Sequence, residues 1–423
     1  MNRTVIIGMD GVPFGLLKEL AESGVMPNTA SIIEDGIFRK MLSSIPEVSS
    51  VAWSSIITGE NPGRHGIFGF MDLFPNSYKM RFPNYNDLKA PPFWDQWPSR
   101  SVIVNVPSTY PVHKMNGVHI SGFVSIDFKK SVHPLSLIPE LKELDYRLDV
   151  DSQKAHQSMD DFLTDLDETL RARIETYRYL WDNESWQVFM LVFTGTDRLM
   201  HFLWEAYEDR KNKYHDAFLE HFTKIDQAIG EINGKLDGND SLFMLSDHGF
   251  ERLDREIYIN LILQKEGFLT FVPQQEPNLT NISHSTKAFA LDPARIYINE
   301  KGKYPDGSVN KNDSDRVLED LEALFTSLEV NGNSVIRGIY RKHDIYSGPF
   351  LDHAPDLVLV GAPHFDLKAK LKVTQVADKG IFSGKHTQDS AFLLVRNNCG
   401  REAVSDNPHV CNVKNIIEHV AQM

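Results

Sequence analysis

Asp10, Asp197, His201, Asp247, His248 and His386 all offer oxygen or nitrogen ligands, and each lies at or near the end of a short apolar run. Asp197 and His201 stand four residues apart, a spacing that on a helix puts carboxylate and imidazole on one face, within reach of one metal ion. Asp247 and His248 are adjacent, directly after the run SLFMLS and before Gly249, and two such groups are costly to bury without partners. Asp10 closes the run TVIIGM, and His386 sits in the Gly-flanked stretch SGKHT. Singly, three of them have a bland explanation: Asp10 as a turn or cap residue, Asp197 and His201 as a structural pair. Together they make six ligands that divide into two sets of three, a pattern suited to Zn²⁺ or Mn²⁺ far better than to Ca²⁺. Two such cations can lower the pKa of a nucleophile and steady a departing oxygen, which is what hydrolysis of a phosphoester requires.

A nucleophile candidate comes from PEVSSVAWSSIITGENPGRHG, residues 46–66. Ser49 and Ser50 directly precede a run with helical features, residues 51–58, which Gly59, Asn61, Pro62 and Gly63 stop. The pattern predicts a serine at the helix N-cap, where its oxygen meets free N–H groups and the positive end of the helix dipole. That place suits an anion, and equally a hydroxyl that attacks one. An isolated serine there most often only caps a helix; the six ligands elsewhere make the case for chemistry.

The elements that must position these groups alternate in type. Residues 4–9, 101–106 and 188–193 and the run before Asp247 read as buried strands of a parallel sheet, with acidic residues at carboxyl ends, where open α/β sheets bind ligands. Helices are predicted at 14–23, 28–34, 159–179, 214–232 and 412–420, and a further strand at 38–42. The aromatic-rich stretch 68–100 is a candidate lid loop, although most of its rings read as satellite packing. Residues 257–378 mix helix (258–267, 313–328) and strand (295–299, 356–360), and read as an inserted subregion closing one side of the sheet.

Composition agrees with a globular enzyme. A net charge of -14 argues against a nucleic-acid scaffold, since a phosphate backbone needs a basic face. Cys399 and Cys411 are too few for a disulfide framework, which fits a reducing, cytoplasmic setting. The N-terminal run lacks the form of a signal peptide, and no apolar run approaches membrane-spanning length, so no membrane association is expected.

The order Asp10, Ser49 with ITG, NPG and HG, Asp197-xxx-His201, Asp247-His248-Gly249 and Gly384-Lys385-His386 resembles the alkaline phosphatase superfamily. Within it, the chain is most similar to the type I phosphodiesterase/nucleotide pyrophosphatase family, over nearly its whole length. The resemblance implies an alkaline phosphatase-like α/β fold: a mostly parallel sheet with helices on both faces and a smaller inserted cap, one catalytic domain over residues 1–423. It implies that Asp10, Asp247 and His248 hold one cation, which also meets the Ser49 oxygen, and that Asp197, His201 and His386 hold the other. Ser49 falls at the nucleophile position, commonly Thr in the family, and would form a phosphoseryl intermediate; Ser50 falls at a variable one. Phe70 stands where the family carries a phosphate-binding Asn, which leaves the substrate class open. Ser50-Val51-Ala52 after Ser49 lacks the sulfatase signature, arguing against sulfate esters.

The expected function is therefore metal-dependent hydrolysis of a small-molecule phosphoester, a nucleotide among the candidates. The alternatives are a phosphomonoesterase, phosphomutase or phosphonate hydrolase of the same superfamily, or a non-catalytic binding module. Lys79 and Lys385 are candidate phosphate contacts, though lysines in such places are more often solvated surface charges.

Overall fold

Apolar runs rich in Val, Ile, Leu and Phe form the strands that carry the candidate residues. In the computed structural model, which describes residues 3–396 and 402–421, eight strands make one sheet. They are β1 (Thr4–Met9), β2 (Ile37–Met41), β3 (Ser101–Val106), β4 (Gly117–Ser121), β5 (Val132–His133), β6 (Val188–Phe193), β7 (Ser241–Leu245) and β8 (Ala391–Val395). Their spatial order is β2-β8-β7-β1-β6-β3-β4-β5. The run from β7 to β4 is parallel. β8 is antiparallel to both of its neighbours, and β5 to β4.

Side-chain alternation sorts this sheet's residues into two cores. Val5, Ile7, Met9, Phe189, Leu191 and Phe193 pack on one face with the helices Phe14–Glu22, Met159–Asn183, Gly195–Glu208 and His215–Gly234. Ile6, Val188, Met190, Val192, Phe243 and Leu245 face the other side, against Trp53, Ile56 and Ile57 of the helix Ser49–Thr58 and Ile416 and Ile417 of the helix Val413–Ala421. Strands buried on both faces read as continuous apolar runs, which is why they were visible in the sequence. The result is an α/β fold with a mostly parallel central sheet and helices on both faces.

The chain divides into two compact units. The first comprises Met1–Glu60, Asn84–Glu251 and Ile381–Met423, and holds the large sheet. The second gathers Asn61–Pro83 with Arg252–Gly380, so the aromatic stretch 68–100 contributes to both. In the first unit Tyr85, Phe93, Trp94 and Trp97 are buried in the core that contains Trp53. The second unit has its own core around a four-stranded sheet, in the order Ala288–Leu291, Arg295–Ile298, Leu357–Gly361, Ile336–Arg341.

Candidate metal centre and nucleophile

Three adjacent strands, β7, β1 and β6, end on the same edge of the sheet and deliver the carboxylates. Asp10 follows β1 directly, Asp247 and His248 follow β7 after Ser246, and Asp197 lies in the first turn of the helix Gly195–Glu208 after β6. His201 is one turn further along that helix, on the same face as Asp197. His386 sits on the short strand Gly384–Thr387, which pairs with Gly249–Arg252 immediately after His248. A tight hydrogen bond braces two strand ends: the Thr196 hydroxyl faces the carbonyls of Asp10 at 2.6 Å and Phe193 at 3.0 Å.

All seven expected residues meet. His386 Nε2 lies 3.0 Å from Asp197 Oδ1 and 3.0 Å from His201 Nε2. His248 Nε2 is 3.3 Å from Asp247 Oδ2, 3.7 Å from Asp10 Oδ1 and 4.0 Å from Asp197 Oδ1. Ser49 Oγ lies 3.1 Å from His248 Nε2 and 3.4 Å from Asp10 Oδ1. Asp197 thus belongs with His201 and His386, and also with Asp10 and His248.

Ser49 reaches this place differently from the sequence expectation. It is the first residue of the helix rather than its N-cap, which is Val48, and no side chain caps this end. The hydroxyl is turned toward His248 and Asp10 and away from the backbone, because extended Val48 starts the helix one residue early. Helical hydrogen bonding begins at Val51, which leaves the N–H groups of Ser49 and Ser50 outside the ladder. Lys385 also differs from its expectation as a solvated charge: it is only 4% exposed and pairs with Glu251 at 3.1 Å. Lys79, in the second unit, is exposed.

The three histidines share one tautomer. Each Nδ1 faces a backbone carbonyl: Gly384 for His201 at 3.2 Å, Gly249 for His248 at 3.1 Å, and Glu47 for His386 at 3.0 Å. A carbonyl only accepts, so each Nδ1 donates and each Nε2 presents a lone pair to the cluster. His201 and His386 then point lone pairs at each other across 3.0 Å, an arrangement a cation would relieve. The carboxylates ask for the same thing. Asp10 Oδ2 and Asp247 Oδ2 are buried without a hydrogen-bond partner.

Burial, followed by the charges of Asp247 and Asp197, raises the Asp10 pKa well above its usual value. Burial likewise pushes Asp247 up to about 7. At Asp197 burial opposes ionisation, yet His201, His386 and Arg198 outweigh it and hold the carboxyl below the usual range. Burial, with the neighbouring His386, lowers His248 to about 4, keeping it a neutral ligand at pH 7. Buried carboxylates and neutral imidazoles converging without enough positive charge are a donor set that fits divalent cations of the Zn²⁺ or Mn²⁺ kind.

Sequence reasoning missed the shell around the ligands. Arg198 donates from Nη1 to Asp197 Oδ2 at 2.9 Å and from Nη2 to Asp149 Oδ2 at 2.8 Å. Its position directly after Asp197 was a usable signal, whereas Asp149 is 48 residues upstream and carried none. Phe250 stands edge-on to His201 and His386, at 4.8 and 5.1 Å between ring centroids, walling one side.

Comparison with known proteins bears on the fold and the family. No curated protein sequence matches the chain. Among solved structures, phosphonoacetate hydrolase from Sinorhizobium meliloti 1021, in complex with phosphonoacetate, is similar with a TM-score of 0.65 at 14% identity, covering 100% of this chain and 95% of that one. Murine ectonucleotide pyrophosphatase/phosphodiesterase 5, an inactive variant in complex with AMP, matches with a TM-score of 0.57 at 13% identity, over 100% and 96% of the two chains. Human ectonucleotide pyrophosphatase/phosphodiesterase 5 gives 0.57 at 14% identity, over 100% and 95%. These likenesses establish a shared fold. The profile of the type I phosphodiesterase/nucleotide pyrophosphatase family matches residues 4–389, and the chain belongs to that family of phosphoester hydrolases.

Proposed function

We propose that the protein hydrolyses a small-molecule phosphodiester, nucleotides included, with Ser49 as nucleophile and two divalent cations at the strand ends. The observation that carries this is the Ser49 hydroxyl, 3.1 Å from His248 Nε2 and 3.4 Å from Asp10 Oδ1, at the edge of a cluster of six ligands. Asp10, Asp247 and His248 would hold one cation and Asp197, His201 and His386 the other. When bound, Zn²⁺ or Mn²⁺ would lower the pKa of the hydroxyl and offset the charge of the phosphoryl oxygens.

The chain's own groups account for the rest. Asp10 and His248 orient the Ser49 oxygen for in-line attack on phosphorus. The bond from Ser49 Oγ to phosphorus forms as the bond to the leaving alkoxide breaks, and the proton lost by the hydroxyl is taken up by that alkoxide, giving a phosphoseryl enzyme and the released alcohol. The free N–H groups of Ser49 and Ser50 at the helix start receive charge as it builds on a non-bridging oxygen. Water then cleaves the phosphoseryl bond and releases the phosphomonoester.

Turnover of bis-p-nitrophenyl phosphate against p-nitrophenyl phosphate, with Zn²⁺ or Mn²⁺ supplied, tests the reading. Faster diester cleavage is expected, and Ser49→Ala should lose about 10³-fold or more in kcat while keeping its metal. Full turnover by Ser49→Ala would reject the assignment.

A further inference from the structure

Arg198 lies one residue beyond a metal-ligand candidate, and a mostly enclosed cation, its side chain 19% exposed, is an unexpected neighbour for a group meant to attract cations. Its guanidinium bridges two carboxylates. Nη1 bonds Asp197 Oδ2 at 2.9 Å; Nη2 and Nε both reach Asp149 Oδ2, at 2.8 and 3.3 Å. Phe123 stacks on one side of its plane at 4.6 Å. The Asp197 side chain is 4% exposed, so its second oxygen has little other recourse.

The two oxygens of Asp197 are thereby given different tasks. Oδ1 faces His386 Nε2, His201 Nε2 and His248 Nε2, at 3.0, 3.5 and 4.0 Å. Oδ2 is held by Arg198 and turned away. A carboxylate with both oxygens unpaired can chelate one cation through both or swing between two; one pinned at Oδ2 presents a single oxygen in a fixed direction. Asp149 neutralises Arg198, so the clamp adds no net charge to the cluster.

We propose that Arg198, braced by Asp149 and Phe123, is a positioning residue that fixes Asp197 as a one-oxygen ligand and so sets the affinity and geometry of the cation site formed with His201 and His386. This rests on the metal-dependent reading above, and the test separates the two. Metal-free protein is titrated with Co²⁺ while its visible absorption is followed, which reports ligand geometry without reference to turnover. Wild type should bind two Co²⁺. Arg198→Met should weaken one of them by about 10- to 100-fold with an altered spectrum, leaving the other largely unchanged. Arg198→Lys, a point charge without the fork, should recover part of the loss. Asp149→Asn should lower the same affinity to a smaller degree.

A wild type that binds no Co²⁺ defeats the metal-dependent reading itself. A wild type that binds two, with Arg198→Met matching it in affinity and spectrum, overturns the role of Arg198 alone. If Arg198→Met does not fold, Arg198→Lys and Asp149→Asn decide: both matching wild type also overturns the proposal.

Discussion

At the scale of single residues, burial decides protonation. His221 and His119 are 5% and 1% exposed, and burial lowers them to about 4 and about 3. Both therefore stay neutral in the folded protein. An unfolded chain takes up protons on these rings once pH falls below 6.5, while the folded chain refuses them until pH reaches about 4 or about 3. Their stabilising effect is thus complete above pH 6.5 and is lost as pH falls through that window, at about 1.4 kcal/mol per pH unit for each ring. The urea midpoint should fall between about pH 7 and about pH 5, and His221→Asn should shrink that fall by one ring's share. An unchanged fall would show that His221 is not held neutral. The six candidate ligands stood out because each is an Asp or His close to an apolar run; Arg198 carried only its place beside Asp197, and Asp149 carried no signal, because a hydrogen bond between side chains leaves no spacing pattern.

At the scale of elements, one helix caps another. The helix Pro27–Asp35 has no side-chain cap of its own. Asp226, from the middle of the helix His215–Gly234, replaces it: Oδ1 accepts from the Thr29 N–H and hydroxyl at 2.8 and 2.7 Å, and Oδ2 from the Asn28 N–H and Nδ2 at 3.0 and 2.9 Å. Asp226→Ala should cost about 2–4 kcal/mol of unfolding free energy in a urea titration, since the buried Thr29 donors would be left unpaired and the helix start would lose its cap. A loss below about 0.5 kcal/mol would mean that water satisfies them.

Close packing also sets where Ser49 stands. A Cβ added at Gly8 of β1 would come within 2.5 Å of the Trp53 ring, on the same helix as Ser49. Gly8→Ala should destabilise by about 1–3 kcal/mol and reduce kcat more than that loss explains, because the helix must shift. Equal kcat would show that the helix start moves independently of Trp53.

The long, apolar strands and amphipathic helices were readable to within a few residues. Gly117–Ser121 and Ala288–Leu291 were not, although strands just as short, Arg295–Ile298 and Leu357–Gly361, were. Nor was the insertion of antiparallel β8 between β2 and β7, because strand order depends on contacts hundreds of residues apart.

At the scale of the molecule, the second compact unit joins Asn61–Pro83 to Arg252–Gly380. That grouping escaped sequence reasoning for the same reason: the two segments that share a core are separated in the sequence by residues 84–251 of the first unit. Leu73 and Tyr78, for example, pack with Phe289 and Tyr297. Among the described residues no helix is long and apolar enough to cross a membrane. In the first unit burial disfavours the ionised forms of Asp10 and Asp247, and a bound cation would offset that cost. Saturating Zn²⁺ should therefore raise the melting temperature and a chelator lower it, with about 2.7 kcal/mol gained per bound cation at a hundredfold excess over its Kd.

The most direct test is the metal-to-chain ratio of purified protein equilibrated with Zn²⁺ and freed of loosely held ions, measured by elemental analysis. Two Zn²⁺ per chain are expected, with His201→Ala retaining one and Ser49→Ala retaining both. A chain that keeps no Zn²⁺ under these conditions contradicts the account.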